Sequence, residues 1–160
     1  MKRLWVVFIL VLAFCGIAVA TYLTQHEISG VPLVCNIGNL SGCNVVATSP
    51  YARLFGIPIA EYGILFYGIL FALASLELVV FDRLLRRALQ IASTIGVLAS
   101  LSFILVQIFL IGALCEYCLA SAFIALLIFI FASLIEPMSL GRRDKAPSPP
   151  YPTVLAPPGA

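Results

Sequence analysis

Four long apolar stretches govern what this chain can fold into. They run over residues 4–23, 60–81, 88–111 and 114–135, and polar clusters separate them. About 20 apolar residues at 1.5 Å rise each cross a hydrocarbon layer roughly 30 Å thick. In such a layer each backbone N–H and C=O must be satisfied within its own segment, which selects helices. With 62% hydrophobic and only 10% charged residues in 160, the rest of the chain supplies little of a soluble surface. The expected fold class is an all-α integral membrane protein, a four-transmembrane-helix bundle with a long outer loop between helices 1 and 2. The third stretch carries Ser93, Thr94, Gly96, Ala99, Ser100 and Ser102, small residues that let helices approach closely.

The basic residues orient the bundle. With four spans, Lys2 and Arg3, then Arg83, Arg86 and Arg87, then Arg142, Arg143 and Lys145 fall on one side, leaving Arg53 on the other. Positive charge collects on the cytoplasmic side. Both termini are therefore expected in the cytoplasm of a cell (inner) membrane protein, with the long connector outside. Lys2, Arg3 and Ala18-Val19-Ala20 also suit a cleavable signal. The first apolar stretch is longer than the 7–15 residues of a signal core, which favours an uncleaved anchor. Residues 1–137 form the membrane unit, and residues 138–160, basic and then proline-rich, read as a disordered cytoplasmic tail.

The connector, about residues 24–59, is too long to be a passive link. It carries Cys35 and Cys43 around a turn-rich segment, and a short helix through residues 43–47, with Ser41 as its cap, is expected to stop before Pro50. Residues 51–58, aromatic with one arginine, suit the membrane surface. The fourth stretch opens with Cys115-Glu116-Tyr117-Cys118. On a helix these two sulfurs share a face, and the first sits where free N–H groups and the dipole favour a thiolate. The charge pattern brings all four cysteines to the outer face, where disulfides persist. Two such pairs can pass electrons by thiol–disulfide exchange. The outer pair then meets a protein partner, and the inner pair meets a lipid-soluble two-electron carrier such as a quinone.

Rival readings use the same residues. Four cysteines can bind zinc, but Cys35 and Cys43 are eight apart and only one knuckle-like pair exists. A structural membrane protein would need both pairs to be inert. Cys15 reads as a packing residue, and His26, the single histidine, as a solvated interfacial residue. Glu61 and Tyr62 are candidate quinone contacts at the outer mouth.

Cys35 and Cys43 in the first outer loop, Ser49 six positions on, Phe55-Gly56-Ile57-Pro58 before the second span and Cys115-Glu116-Tyr117-Cys118 opening the fourth together resemble the vitamin K epoxide reductase family over about residues 1–137. The resemblance implies four catalytic cysteines around a quinone (menaquinone, ubiquinone or similar), with Cys118 nearest to it and Cys115 exchanging with Cys43. Cys35 would open to a separate thioredoxin-like partner on the outer side, and Ser49 would help place the loop over the pocket. Animal members carry a tyrosine where this chain has Ala122, and the quinone-binding asparagine of those enzymes has no counterpart in Pro58-Ile59-Ala60-Glu61-Tyr62. These departures point away from epoxide reduction, which stands as the alternative. They favour the bacterial-type task of passing electrons from a secreted oxidant to a membrane quinone in support of disulfide formation.

Overall fold

A computed structural model describes residues 2–34, 42–80 and 82–135. Four helices in it are long and apolar enough to cross a membrane. Helix α1 spans Lys2–Ser29, α3 Ile59–Val80, α4 Arg83–Val106 and α5 Glu116–Ile135. Between α1 and α3 lie a short helix α2 (Cys43–Thr48), a 3₁₀ turn (Pro50–Ala52) and a two-stranded hairpin of β1 (Arg53–Leu54) and β2 (Ile57–Pro58). Each long helix packs on two neighbours, in the ring order α1, α3, α4, α5. Large apolar side chains such as Leu65, Val79, Leu98 and Phe123 point outward, as lipid-facing residues do.

Several boundaries move from those read in the sequence, each for a local reason. The first helix continues to Ser29 because Gln25, His26 and Glu27 accept helical geometry although they are polar. The arginine cluster belongs to α4 rather than interrupting the spans. Asp82 caps that helix by accepting the Leu84 N–H at 3.1 Å, so the chain is helical from Arg83 onward. Gly42 holds the N-cap position of α2 without a side-chain cap. Ser41, Cys35, Glu136, Pro137 and the tail over residues 138–160, with Arg142, Arg143 and Lys145, lie outside the described residues.

At one end of the bundle Arg86 Nε donates to Glu77 Oε1 at 2.6 Å, joining α3 to α4, and Trp5 and Phe8 stack on Phe131, joining α1 to α5. The core between the helices is built from residues such as Ile9, Ala13, Leu70, Ala74, Ile128 and Ala132. Phe66 packs against Gly96 of α4, the close approach expected of that stretch. At the opposite end Tyr67 donates to the Ser121 carbonyl at 2.7 Å and meets its hydroxyl at 2.9 Å, tying α3 to α5 just below the cysteines.

Candidate redox site

The fourth span begins at the inner cysteine pair, and the local chain explains why. Helix α4 ends in a π turn over Gln107–Ile111, and Gly112 follows in the left-handed conformation (φ 69°) that lets the chain reverse. Helix α5 then opens at Glu116, which leaves Cys115 at its N-terminal edge, where the Cys115 carbonyl accepts the Leu119 N–H at 3.0 Å. Cys115 is 1% exposed, and Cys118, one turn in, is half-buried. Both are free thiols.

The Cys115 thiol is lowered to about 7. The largest cause is a hydrogen bond from the Cys118 thiol; the Cys118 and Tyr117 backbone N–H groups add to it, while burial and the neighbouring Glu116 carboxylate oppose it. A thiolate at this helix edge is the form expected from its sequence position.

Cys43 is brought to the same place. It is disulfide-bonded, fully buried, and shares one buried cluster with Cys115 and Leu33, against which Tyr22, Val46, Tyr117 and Cys118 pack. Contact at this spot depends on Gly42. A Cβ there would stand 2.8 Å from both the Ala113 Cβ and the Leu114 carbonyl oxygen, so only glycine lets the start of α2 lie on the turn before α5. Residues 42 and 114 touch, and the cysteines that follow each of them are thereby juxtaposed.

The extended segment over residues 31–34 is held from three directions. Asn44, next to Cys43, accepts the Leu33 N–H at 2.7 Å and donates to the Leu33 carbonyl at 3.2 Å. Tyr117, between the inner cysteines, donates to the Val34 carbonyl at 3.0 Å. His26 Nδ1 lies 3.2 Å from the Val31 carbonyl, and its ring packs on Tyr22, which packs on Tyr117. His26 is therefore part of the loop's footing.

Below these sulfurs lies a cavity of about 300 Å³, lined mostly by apolar side chains of α1, α3 and α4 and reached by Cys43, Cys115 and Cys118. Its size is at the lower end of small-molecule pockets, roughly 300–1,000 Å³, and its few polar groups among apolar walls are typical of them. A flat ring with an apolar tail fits that chemistry. Of the sequence-derived contact candidates, Ser49 and Tyr62 reach the wall and Glu61 does not. Ser49 Oγ donates to the Val46 carbonyl at 2.8 Å, closing α2, and Tyr62 donates to the Leu54 carbonyl at 3.2 Å, holding the hairpin. Glu61 is one residue from Tyr62, about 100° around the helix, which turns it off the cavity face. Glu27 lines the cavity instead, paired with Arg53 at 3.4 Å.

Residues 7–133 match the model of the vitamin K epoxide reductase family. The chain belongs to the vitamin K epoxide reductase family. It is also 32% identical over 118 residues to the thiol-disulfide oxidoreductase LTO1 of Arabidopsis thaliana, covering 69% of this chain and 31% of that relative. The chain thus spans about a third of that curated relative's length. Three residues of the site carry no signal in the sequence: Glu27, a polar residue at the end of an apolar run, Asn44, whose grip on Leu33 joins positions eleven apart, and Gln107, a lone glutamine in an apolar run. Among the described residues no cluster of three or more histidines, cysteines or carboxylates stands ready for a metal.

Proposed function

We propose that this chain is a membrane thiol–disulfide oxidoreductase that carries electrons from a thioredoxin-like partner to a membrane quinone through Cys35/Cys43 and then Cys115/Cys118, in support of disulfide bond formation. The observation that carries the reading is that Cys43, in a disulfide, and the acidified thiol Cys115 share one buried cluster at the wall of an apolar cavity that Cys118 also lines. Family membership and the LTO1 likeness point to the same class of chemistry.

Each step balances by exchange. A partner dithiol reduces the Cys35–Cys43 disulfide and becomes a disulfide itself. The Cys43 thiolate attacks the sulfur of Cys115 in an inner disulfide: the 43–115 bond forms, the 115–118 bond breaks, and Cys118 leaves with the electron pair and takes up a proton. Attack by Cys35 on Cys43 then closes the loop disulfide and releases Cys115 as a thiolate. A quinone held in the cavity beside Cys118 would supply the final acceptor for the two electrons and two protons that Cys115 and Cys118 give up as their disulfide re-forms. The chain's own part is to hold Cys118 at the cavity wall, to exclude water with an apolar lining, and to keep Cys115 ionised beside Cys43.

The proposed orientation has both termini in the cytoplasm and the cysteines on the outer face. It rests on Arg3, Arg83, Arg86 and Arg87 lying at the bundle end opposite the cysteines, while Arg53 pairs with Glu27 at the cysteine end. The test is the redox state of the four cysteines in lipid nanodiscs. After reduction of the inner pair, a water-soluble quinone analogue is expected to convert Cys115/Cys118 to the disulfide without added oxidant. An inner pair that stays reduced through many equivalents of quinone would sink the reading.

A further inference from the structure

Gln107 is 3% exposed and stands in the π turn at the end of α4, lining the same cavity as the cysteines. Its Oε1 accepts the Cys115 backbone N–H at 3.1 Å. A backbone N–H can only donate, so this bond fixes which end of the carboxamide is oxygen and leaves the NH₂ group free to turn elsewhere. Cys118, one turn beyond Cys115, lines the same cavity. The Cys118 thiol in turn donates to Cys115. With its oxygen held by the Cys115 N–H, the carboxamide has its NH₂ group to offer the Cys118 sulfur, which would close a ring through Cys118 and Cys115 back to Gln107 Oε1. A buried ring of this kind polarises each of its members.

We propose that Gln107 is a further catalytic residue of the inner pair, its carboxamide touching the Cys118 sulfur and the Cys115 backbone at once so that Cys118 is aimed at Cys115 and charge developing on either sulfur is met by a donor. The role deepens the relay proposed above and rests on it for its place in turnover. In that relay Cys118 leaves first, when the 115–118 bond breaks, and the Gln107 N–H is already directed at it. Cys115 leaves second, when the 43–115 bond breaks, and by then the protonated Cys118 donates to it. The electron pair goes to the departing sulfur in each half, and Gln107 itself is neither oxidised nor deprotonated. A better-stabilised leaving thiolate departs faster. The titratable groups facing Cys115 are Cys118, Tyr117 and Glu116 of α5 and the disulfide-bonded Cys43 of α2; Tyr22 of α1 stands behind Tyr117. Glu116 opposes the thiolate, so it is not the source of the stabilisation.

The experiment uses the full chain in detergent with quinone removed and the inner pair reduced, in a Cys43→Ala background that keeps the loop from capturing Cys115. The rate at which Cys115 is consumed by a small uncharged disulfide, 4,4′-dithiodipyridine, is followed across pH by peptide mass mapping. Gln107→Glu keeps an oxygen for the Cys115 N–H, and with it the structural link, but its carboxylate charge would raise the midpoint on its own; the neutral Gln107→Met, which removes the donor to Cys118 without adding charge, therefore decides the matter. The pH midpoint is expected to rise by about one unit or more in Gln107→Glu and in Gln107→Met, and the rate at neutral pH to fall by roughly two- to fourfold. An unchanged profile in Gln107→Met overturns the proposal, whatever Gln107→Glu shows. So does loss of the thermal unfolding transition in both variants, which would make Gln107 a structural residue only. Neither quinone nor partner enters this measurement, so failure of the relay itself would leave its outcome untouched.

Discussion

Removing the Cys118 sulfur tests the core of the site, because the largest cause of Cys115 acidity is the hydrogen bond it receives from Cys118. In Cys118→Ala that donor is gone while burial, which opposes the thiolate, remains. The Cys115 thiol should then titrate no lower than an ordinary cysteine, about 8.5. At neutral pH the thiolate fraction falls from about one half to about 3%, roughly a 16-fold loss. Intrinsic nucleophilicity rises with basicity, with a Brønsted slope of about 0.4–0.5, so a rise of about 1.5 units returns roughly a fivefold gain. The net expectation is exchange with a small uncharged disulfide about threefold slower near pH 7, and about fivefold faster near pH 10, where both proteins are ionised. The two profiles must cross. The assay is stopped-time consumption of Cys115 in detergent, read by mass mapping in the Cys43→Ala background, counting mixed disulfide and internal disulfide together. A Cys118→Ala profile that runs parallel to the parent, with the same midpoint, would show that the acidity comes from the helix edge alone and would refute the reasoning.

With Cys43 present, Cys118→Ala should instead accumulate a Cys43–Cys115 mixed disulfide, detected by non-reducing mass mapping; a Cys35–Cys115 link with Cys43 free would reverse the assigned loop order. Gly42→Ala places a Cβ 2.8 Å from the Ala113 Cβ and the Leu114 oxygen, and the required shift, costing about 1–3 kcal/mol, should slow formation of that link roughly tenfold while sparing the reaction of Cys115 with a small disulfide. Asn44→Ala strips both hydrogen bonds from Leu33 and should loosen the segment over residues 31–34 by about 1–3 kcal/mol, read as faster proteolysis of the outer loop in detergent. Arg86→Leu leaves the buried Glu77 carboxylate without its guanidinium and should destabilise the bundle by about 3–5 kcal/mol, seen as a lower melting temperature.

The spans were legible because hydropathy reports burial in lipid directly, and the short helix at Cys43 because Pro50 marks where it must end. The inner pair was legible from spacing: two cysteines three apart at the start of an apolar run leave the first at a helix edge. What stayed hidden was whatever depends on helix phase or distant partners. Glu61 and Tyr62 are neighbours in sequence, yet only Tyr62 meets the cavity, and a stretch apolar on every side gives no phase to tell them apart. Glu27, read as part of the connector, turned out to be helical and to line the cavity. Gln107 stands eight residues before Cys115, a spacing no regular helix would bring into register, and a π turn has no composition that announces it.

That π turn sets a rule about length rather than about residue type. Its wider winding lets Gln107 face the cysteines while α4 keeps its own packing against α3 and α5. Deleting one residue from positions 108–111 would turn the π turn into an ordinary α turn and shorten by one residue the path from Gln107 to Cys115. Conservative substitutions at Ile108, Phe109 or Leu110, all exposed to lipid, should pass almost unnoticed, whereas a deletion among the same three positions should disconnect the carboxamide from the sulfurs. Over these five residues the chain encodes a count.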